Sequence, residues 1–179
     1  MPTYIALLRG INLGSRNKIA MAELRELLGS LGHGDVRTHI LSGNAIFTSS
    51  TRSAATLATE IGRAIDRRFH LDVRVLIRTS DELAAIVNAN PLEEATRDPS
   101  RYYVVFLDSN PKREVIDAID PAAFEPEEFR FGDRVVYAWY RNGMQRSKLA
   151  GALSDRGLGV TTTARNWNTV TKLLSLASE

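Results

Sequence analysis

The densest chemical signal lies in R-G-I-N-L-G-S-R-N-K, residues 9–18. Arg9, Arg16 and Lys18 supply positive charge, Gly10 and Gly14 supply backbone freedom, and a helical pattern follows at once. Free N–H groups and the positive end of a helix dipole favour phosphate or carboxylate, so this stretch is expected to attract an anion. It is no phosphate loop of the G-x-x-x-x-G-K-[ST] kind, because only three residues separate Gly10 from Gly14, and the dinucleotide fingerprint is also missing. The opposing expectation is that the glycines simply turn the chain, Asn12 bonds backbone locally and the cations stay solvated.

Other chemistry is sparse. With no cysteine there is no disulfide, thiol nucleophile or cysteine-held metal, and His33, His39 and His70 lack ligand spacing, so neither metal nor cofactor is expected. No G-x-S-x-G elbow or H-E-x-x-H occurs, and Glu93-Glu94 and Glu127-Glu128 read as solvated charge. No catalytic constellation is visible. Charge is sorted along the chain: residues 1–80 carry +5, residues 81–139 carry −7 and residues 140–179 carry +4. Such sorting fits either pairing within the chain or a basic surface for nucleic acid.

These residues need a scaffold. Hydrophobic residues make up 44% and charged residues 25%, ordinary for a folded protein. No apolar run approaches the roughly 18 residues that span a bilayer, and Tyr4–Leu8 is too short for a signal peptide, so a cytoplasmic protein is expected. Tyr4 to Arg9 reads as a strand, and Met21, Leu24, Leu27, Leu28 and Leu31 as one face of a helix stopped by Gly32. Val36–Leu41 and Asn44–Ser49 flank Ser42-Gly43 as a hairpin with a two-residue turn. That turn pairs Leu41 with Asn44, Ile40 with Ala45, His39 with Ile46 and Thr38 with Phe47. Val36, Ile40 and Phe47 then face the helices. Leu57, Ile61, Ala64, Ile65 and Phe69 mark a second helix, and Val73–Ile77 a fourth strand. The opposite face, with Arg37, His39, Thr48, Arg74 and Arg78, is expected to be a basic sheet surface, either open or packed by a neighbouring domain.

After a helical connector, residues 81–100, the plan repeats: Tyr102–Leu107 as strand and Lys112–Ile119 as helix. Phe129–Phe131 and Val135–Tyr140 form a hairpin around Gly132-Asp133, and Ser147–Leu153 a further helix. Val135, Tyr137 and Trp139 share one side as an aromatic stripe, expected to pack in a core or between domains. Val160–Thr162 is predicted as a minimal last strand, with Thr163 capping a closing helix striped by Ala164, Trp167, Val170, Leu174 and Ala177. The fold class is therefore α+β, two ferredoxin-like (β-α-β-β-α-β) subdomains, residues 1–80 and 101–179, packed together.

Three strings, Y-I-A-L-L-R-G-I-N-L-G at 4–14, S-G-N-A-I-F at 42–47 and T-A-R-N-W-N-T at 163–169, resemble the bacterial family called domain of unknown function 1697. The resemblance spans nearly the whole chain and implies two α/β subdomains of ferredoxin-like type, with no established activity. The chain departs from the family pattern at His39 and Leu41, where an aromatic and a glutamine-like residue are common. By resemblance, Arg9, Asn12, Lys18, Asn44, Arg165, Asn166 and Asn168 are the candidates for a shared polar site. The leading expectation is a protein that binds a phosphate-bearing ligand such as a nucleotide or RNA, without a membrane partner. An enzyme acting on a phosphorylated small molecule and a purely structural role for the motif residues are the alternatives.

Overall fold

The structure, a computed structural model, describes residues 1–179. It is a mixed α+β chain with seven α-helices and two four-stranded antiparallel sheets. The chain divides into two compact units, Met1–Ala85 with Lys172–Glu179, and Ile86–Thr171.

The first unit contains β1 (Thr3–Leu8), α1 (Met21–Ser30), β2 (Gly34–His39), β3 (Asn44–Thr48), α2 (Ala54–Phe69) and β4 (Val75–Thr79). Its sheet order is β2-β3-β1-β4. Alternation along β1 sends Tyr4, Ala6 and Leu8 into a core with Ala45 and Phe47 of β3, Leu24, Leu27 and Leu28 of α1, and Leu57, Ile61, Ala64 and Ile65 of α2. Tyr4 and Phe47 are paired across the strands and stack at 5.9 Å. The start of α2 is fixed by Ser53, whose Oγ accepts the Thr56 N–H at 3.1 Å.

The hairpin closes differently from the sequence expectation. His39 pairs with Asn44 and Arg37 with Ile46, so four residues, Ile40–Gly43, make the connection and the register moves by two. Tertiary packing is the reason. Gly43 lies at φ +90° against Ile11, and its carbonyl accepts the Leu8 N–H at 2.9 Å. A shift of two preserves the faces, so Val36 and Phe47 still meet the helices. Ile40 does not. It leaves the strand at φ +52° and is half exposed. The expected fourth strand also moves, from Val73–Ile77 to Val75–Thr79, which leaves Arg74 outside it. Nor is the opposite sheet face open: Ile5, Leu7, Ile46, Leu76 and Arg78 are all buried there. At its edge Arg37 pairs with Glu179 at 2.7 Å, just past the closing helix.

The second unit holds β5 (Tyr102–Leu107), α4 (Arg113–Asp117), β6 (Glu128–Gly132), β7 (Val135–Trp139), α5 (Lys148–Ala152), α6 (Asp155–Leu158) and β8 (Thr162–Asn166). Its sheet order, β6-β7-β5-β8, repeats the first. The β6–β7 turn is Asp133-Arg134, one residue beyond the expected Gly132-Asp133. Asn110 sets it, donating to Asp133 Oδ1 at 2.9 Å and accepting the Arg134 N–H at 2.7 Å. The last strand is five residues long, because the β-branched run at 161–163 continues through Arg165 in register with β5. Thr163 is therefore a strand residue. Asn166 takes the capping role, its Oδ1 accepting the Thr169 N–H at 3.0 Å. Two helices bridge the division of the chain, α3 (Ser80–Asn88) and α7 (Trp167–Ala177).

A Cβ on Gly43 would stand 2.8–2.9 Å from Ile11 and Leu8, at a φ that L side chains resist, whereas one on Gly14 meets nothing within 4 Å. Gly43→Ala should cost about 3 kcal/mol and Gly14→Ala only about 1 kcal/mol, read from urea unfolding.

Candidate functional site

The loop from Arg9 to Lys18 folds back on itself. Asn12 N–H donates to Asn17 O at 3.0 Å, Arg16 N–H to Leu13 O at 3.1 Å, and Asn17 Nδ2 to Gly10 O at 3.1 Å. Ile11 and Ile19 turn inward and are buried, while Arg9, Leu13, Ser15, Arg16 and Lys18 are exposed. Asn12 braces the whole. Its Nδ2 donates to Ile19 O at 2.8 Å and Leu41 O at 2.6 Å, and its Oδ1 accepts the Ile19 N–H at 2.9 Å. Asparagine suits the position because it combines donor and acceptor and tolerates the observed φ of +54°.

Arg9, Asn12 and Lys18 thus share one loop, with Asn44 behind it at the start of β3. Asn44 is fully buried and donates to His39 O at 3.2 Å and Ser42 Oγ at 3.3 Å. The remaining three candidates are neighbours in the second unit. Arg165 is 8% exposed; its Nη1 donates to Thr163 Oγ1 at 2.7 Å and Ala164 O at 2.9 Å, and burial lowers its pKa to about 10. Asn166 caps α7, and Asn168 is exposed on its first turn. Asn12, Asn44 and Asn166 therefore spend polar atoms on the protein's own structure; the Arg9, Lys18 and Asn168 side chains are exposed.

Two residues that the sequence placed on the sheet and the hairpin, not in this site, join the loop. Arg74 adjoins it, its carbonyl accepting the Arg9 N–H at 3.0 Å, and Leu41 is tied to Asn12. The N-terminus of α1 has no side-chain cap, but Glu23 in its first turn places a negative charge where the dipole would otherwise draw an anion. No carboxylate occurs from Arg9 to Lys18. The loop's charged side chains are all cations.

Elsewhere no cluster of three His, Cys, Asp or Glu residues is placed to hold a metal. Glu127 is not the solvated carboxylate expected. Ser147 Oγ donates to its Oε1 at 2.6 Å, its Oε2 is buried without a hydrogen bond, and burial together with this neighbouring carboxylate raises the Tyr140 phenol pKa. His33 packs 4.7 Å from the Phe47 ring, its Nε2 buried without a partner.

Sheet order and loop geometry together define an α+β protein with two like-ordered antiparallel sheets and a basic loop after its first strand. Residues 1–137, most of the chain, match the family model described as Protein of unknown function (DUF1697), and the chain belongs to that family. Among solved structures it is similar to the conserved bacterial protein SP0830 from Streptococcus pneumoniae, at 24% identity and a TM-score of 0.73. The likeness covers 98% of each chain and concerns the fold alone. A search of the curated proteins found no match.

Removing the Asn12 carboxamide breaks three backbone contacts, so Asn12→Ala should lower stability by about 2 kcal/mol, measured by urea unfolding. A second expectation concerns pH. Burial lowers the pKa of His33, against an opposing pull from Glu60, and burial then the Lys172 charge lower that of His39. The unfolded chain protonates near 6.5 while the folded chain resists, so these histidines' contribution is complete above that pH and is lost as pH falls below it. The urea midpoint should drop between pH 7.5 and pH 5.5, and drop less in His33→Gln.

Proposed function

We propose that this protein binds a phosphate-bearing anion, a mononucleotide or RNA, through the Arg9–Lys18 loop. The observation that carries the reading is a carboxylate-free loop presenting Arg9, Arg16 and Lys18 to solvent while Asn12 and Asn17 hold its backbone in shape. Cations on a braced loop attract an anion without first losing the entropy of ordering that loop. Arg9 and Lys18 are the contact residues in this reading, and Asn12 and Asn44 position them. Arg165, Asn166 and Asn168 are the polar set of the second unit, Asn168 the member open to a ligand.

The scaffold assigned in the same proposal is a pair of ferredoxin-like subdomains, residues 1–80 and 101–179, joined by residues 81–100. The β-α-β-β-α-β order and the strand order β2-β3-β1-β4, repeated as β6-β7-β5-β8, support it. A cytoplasmic setting belongs to the reading, because nucleotides and RNA are plentiful there.

Titration with ATP and with a short RNA at low and moderate salt tests the assignment. Binding should weaken as salt rises and fall about tenfold or more in the Arg9→Ala plus Lys18→Ala variant. No affinity for either ligand at low salt, or an affinity the double variant leaves unchanged, overturns it. Variants that lower the melting temperature with no ligand effect in any form of the protein would instead favour a structural role.

A further inference from the structure

Apart from Met1, the large hydrophobic side chains most open to solvent are Leu13 at 65%, Ile40 at 51% and Leu41 at 69%. They are scattered in neither sequence nor space. Leu13 lies on the loop after β1, and Ile40 and Leu41 lie on the β2–β3 connection. The bond from Asn12 Nδ2 to Leu41 O, 2.6 Å long, joins the two loops. Gly43 packed on Ile11 joins them a second time. Ile40 stands at φ +52°, a conformation that β-branched residues avoid, with half its surface left exposed. Arg16 and Lys18 occupy the same loop as Leu13, are exposed, and form no ion pair.

We propose that these joined loop tips are a docking surface for a bilayer containing anionic lipid. Leu13 and Leu41 are each about two-thirds exposed and Ile40 half exposed, so the apolar surface is offered outward. A suitable occupant must offer negative charge at its surface and an apolar phase immediately behind it. A bilayer offers both in that order, so Arg16 and Lys18 meet headgroup phosphates while Leu13, Ile40 and Leu41 enter the acyl boundary. RNA supplies the charge without the apolar depth. Few cations and three aliphatic side chains make the association weak and reversible. For its cations the proposal rests on the anion-binding reading of the same loop; for its aliphatic tips it does not.

Co-sedimentation with vesicles of phosphatidylcholine alone, or with about a third phosphatidylglycerol, is the test. The protein should pellet with the anionic vesicles and be released by salt. Leu13→Ser with Leu41→Ser should reduce partitioning about tenfold while leaving ATP affinity and melting temperature unchanged, since both side chains are exposed. Arg16→Ala with Lys18→Ala should reduce it as well. Absence of pelleting at low salt, or pelleting indifferent to the serine substitutions, overturns the membrane assignment. If ATP still binds in that case, the anion-binding reading survives; if RNA binds and vesicles do not, the loop serves nucleic acid instead.

Discussion

A single carboxamide holds the loops at one end of the first unit together. Asn12 closes the loop on Ile19 by both a donor and an acceptor contact, and its second N–H reaches Leu41 on another loop. These bonds fix where Ile19 enters the core and hence where α1 begins, although that helix has no side-chain cap of its own. They also place the β2–β3 connection, whose Gly43 then packs on Ile11. An aspartate would keep the acceptor and lose both donors, leaving two carbonyls without their partner. The constraint is local in sequence only in part, since Leu41 lies 29 residues away.

What was legible in the sequence follows the same division between local and distant causes. Leu24, Leu27 and Leu28 reveal their buried helix face by spacing alone, and Tyr102–Leu107 its strand by β-branched and aromatic content. The hairpin register was not legible, because glycine at Ser42-Gly43 answers a contact with Ile11 rather than a two-residue turn. The second hairpin fails for a like reason: Asn110, far from it in sequence, selects Asp133-Arg134. At the candidate site, residue type identified a polar loop correctly as a place where backbone is bound. It anticipated the bonds from Asn12 to nearby Ile19 but not the one to distant Leu41, nor those that Asn44 and Asn166 make within their own chain. Hydrogen-bond partners of an amide are set by whatever the fold brings near.

The two units reach the same strand order with unequal helical layers. In the first, α2 runs sixteen residues and buries four of them against the sheet. In the second, α4 has five residues and buries none, and the core is made instead by Leu149 of α5, Leu153 just past its end and Leu158 of α6, together with Phe129 of β6 and Tyr140. The fourth strands nevertheless share a feature. Arg78 lies opposite Ile5 and Arg165 opposite Val104, each on the strand beside the central one, and each Nη1 donates to the carbonyl of its preceding residue. Both are buried. A guanidinium keeps its charge at such a site through several fixed donors, where a lysine ammonium would more readily lose its proton.

A net charge of +2 says little about partners, because +5, −7 and +4 along the chain nearly cancel. The field at a site depends on which charges stand within a screening length of it. The first loop itself carries Arg9, Arg16 and Lys18, Arg74 adjoins it through the Arg9 N–H, and the nearest acid in sequence is Glu23 on the first turn of α1. Glu23 opposes the helix dipole exactly where an anion would seek it, which shifts selection from the helix N-terminus to the loop's own side chains. Attraction by exposed side-chain charge is long in reach and poor in geometry, so by itself it does not discriminate among anions. Of the aliphatic side chains that meet solvent beside those cations, Leu13 lies on this loop, and Ile40 and Leu41 lie on the β2–β3 connection that Asn12 ties to it.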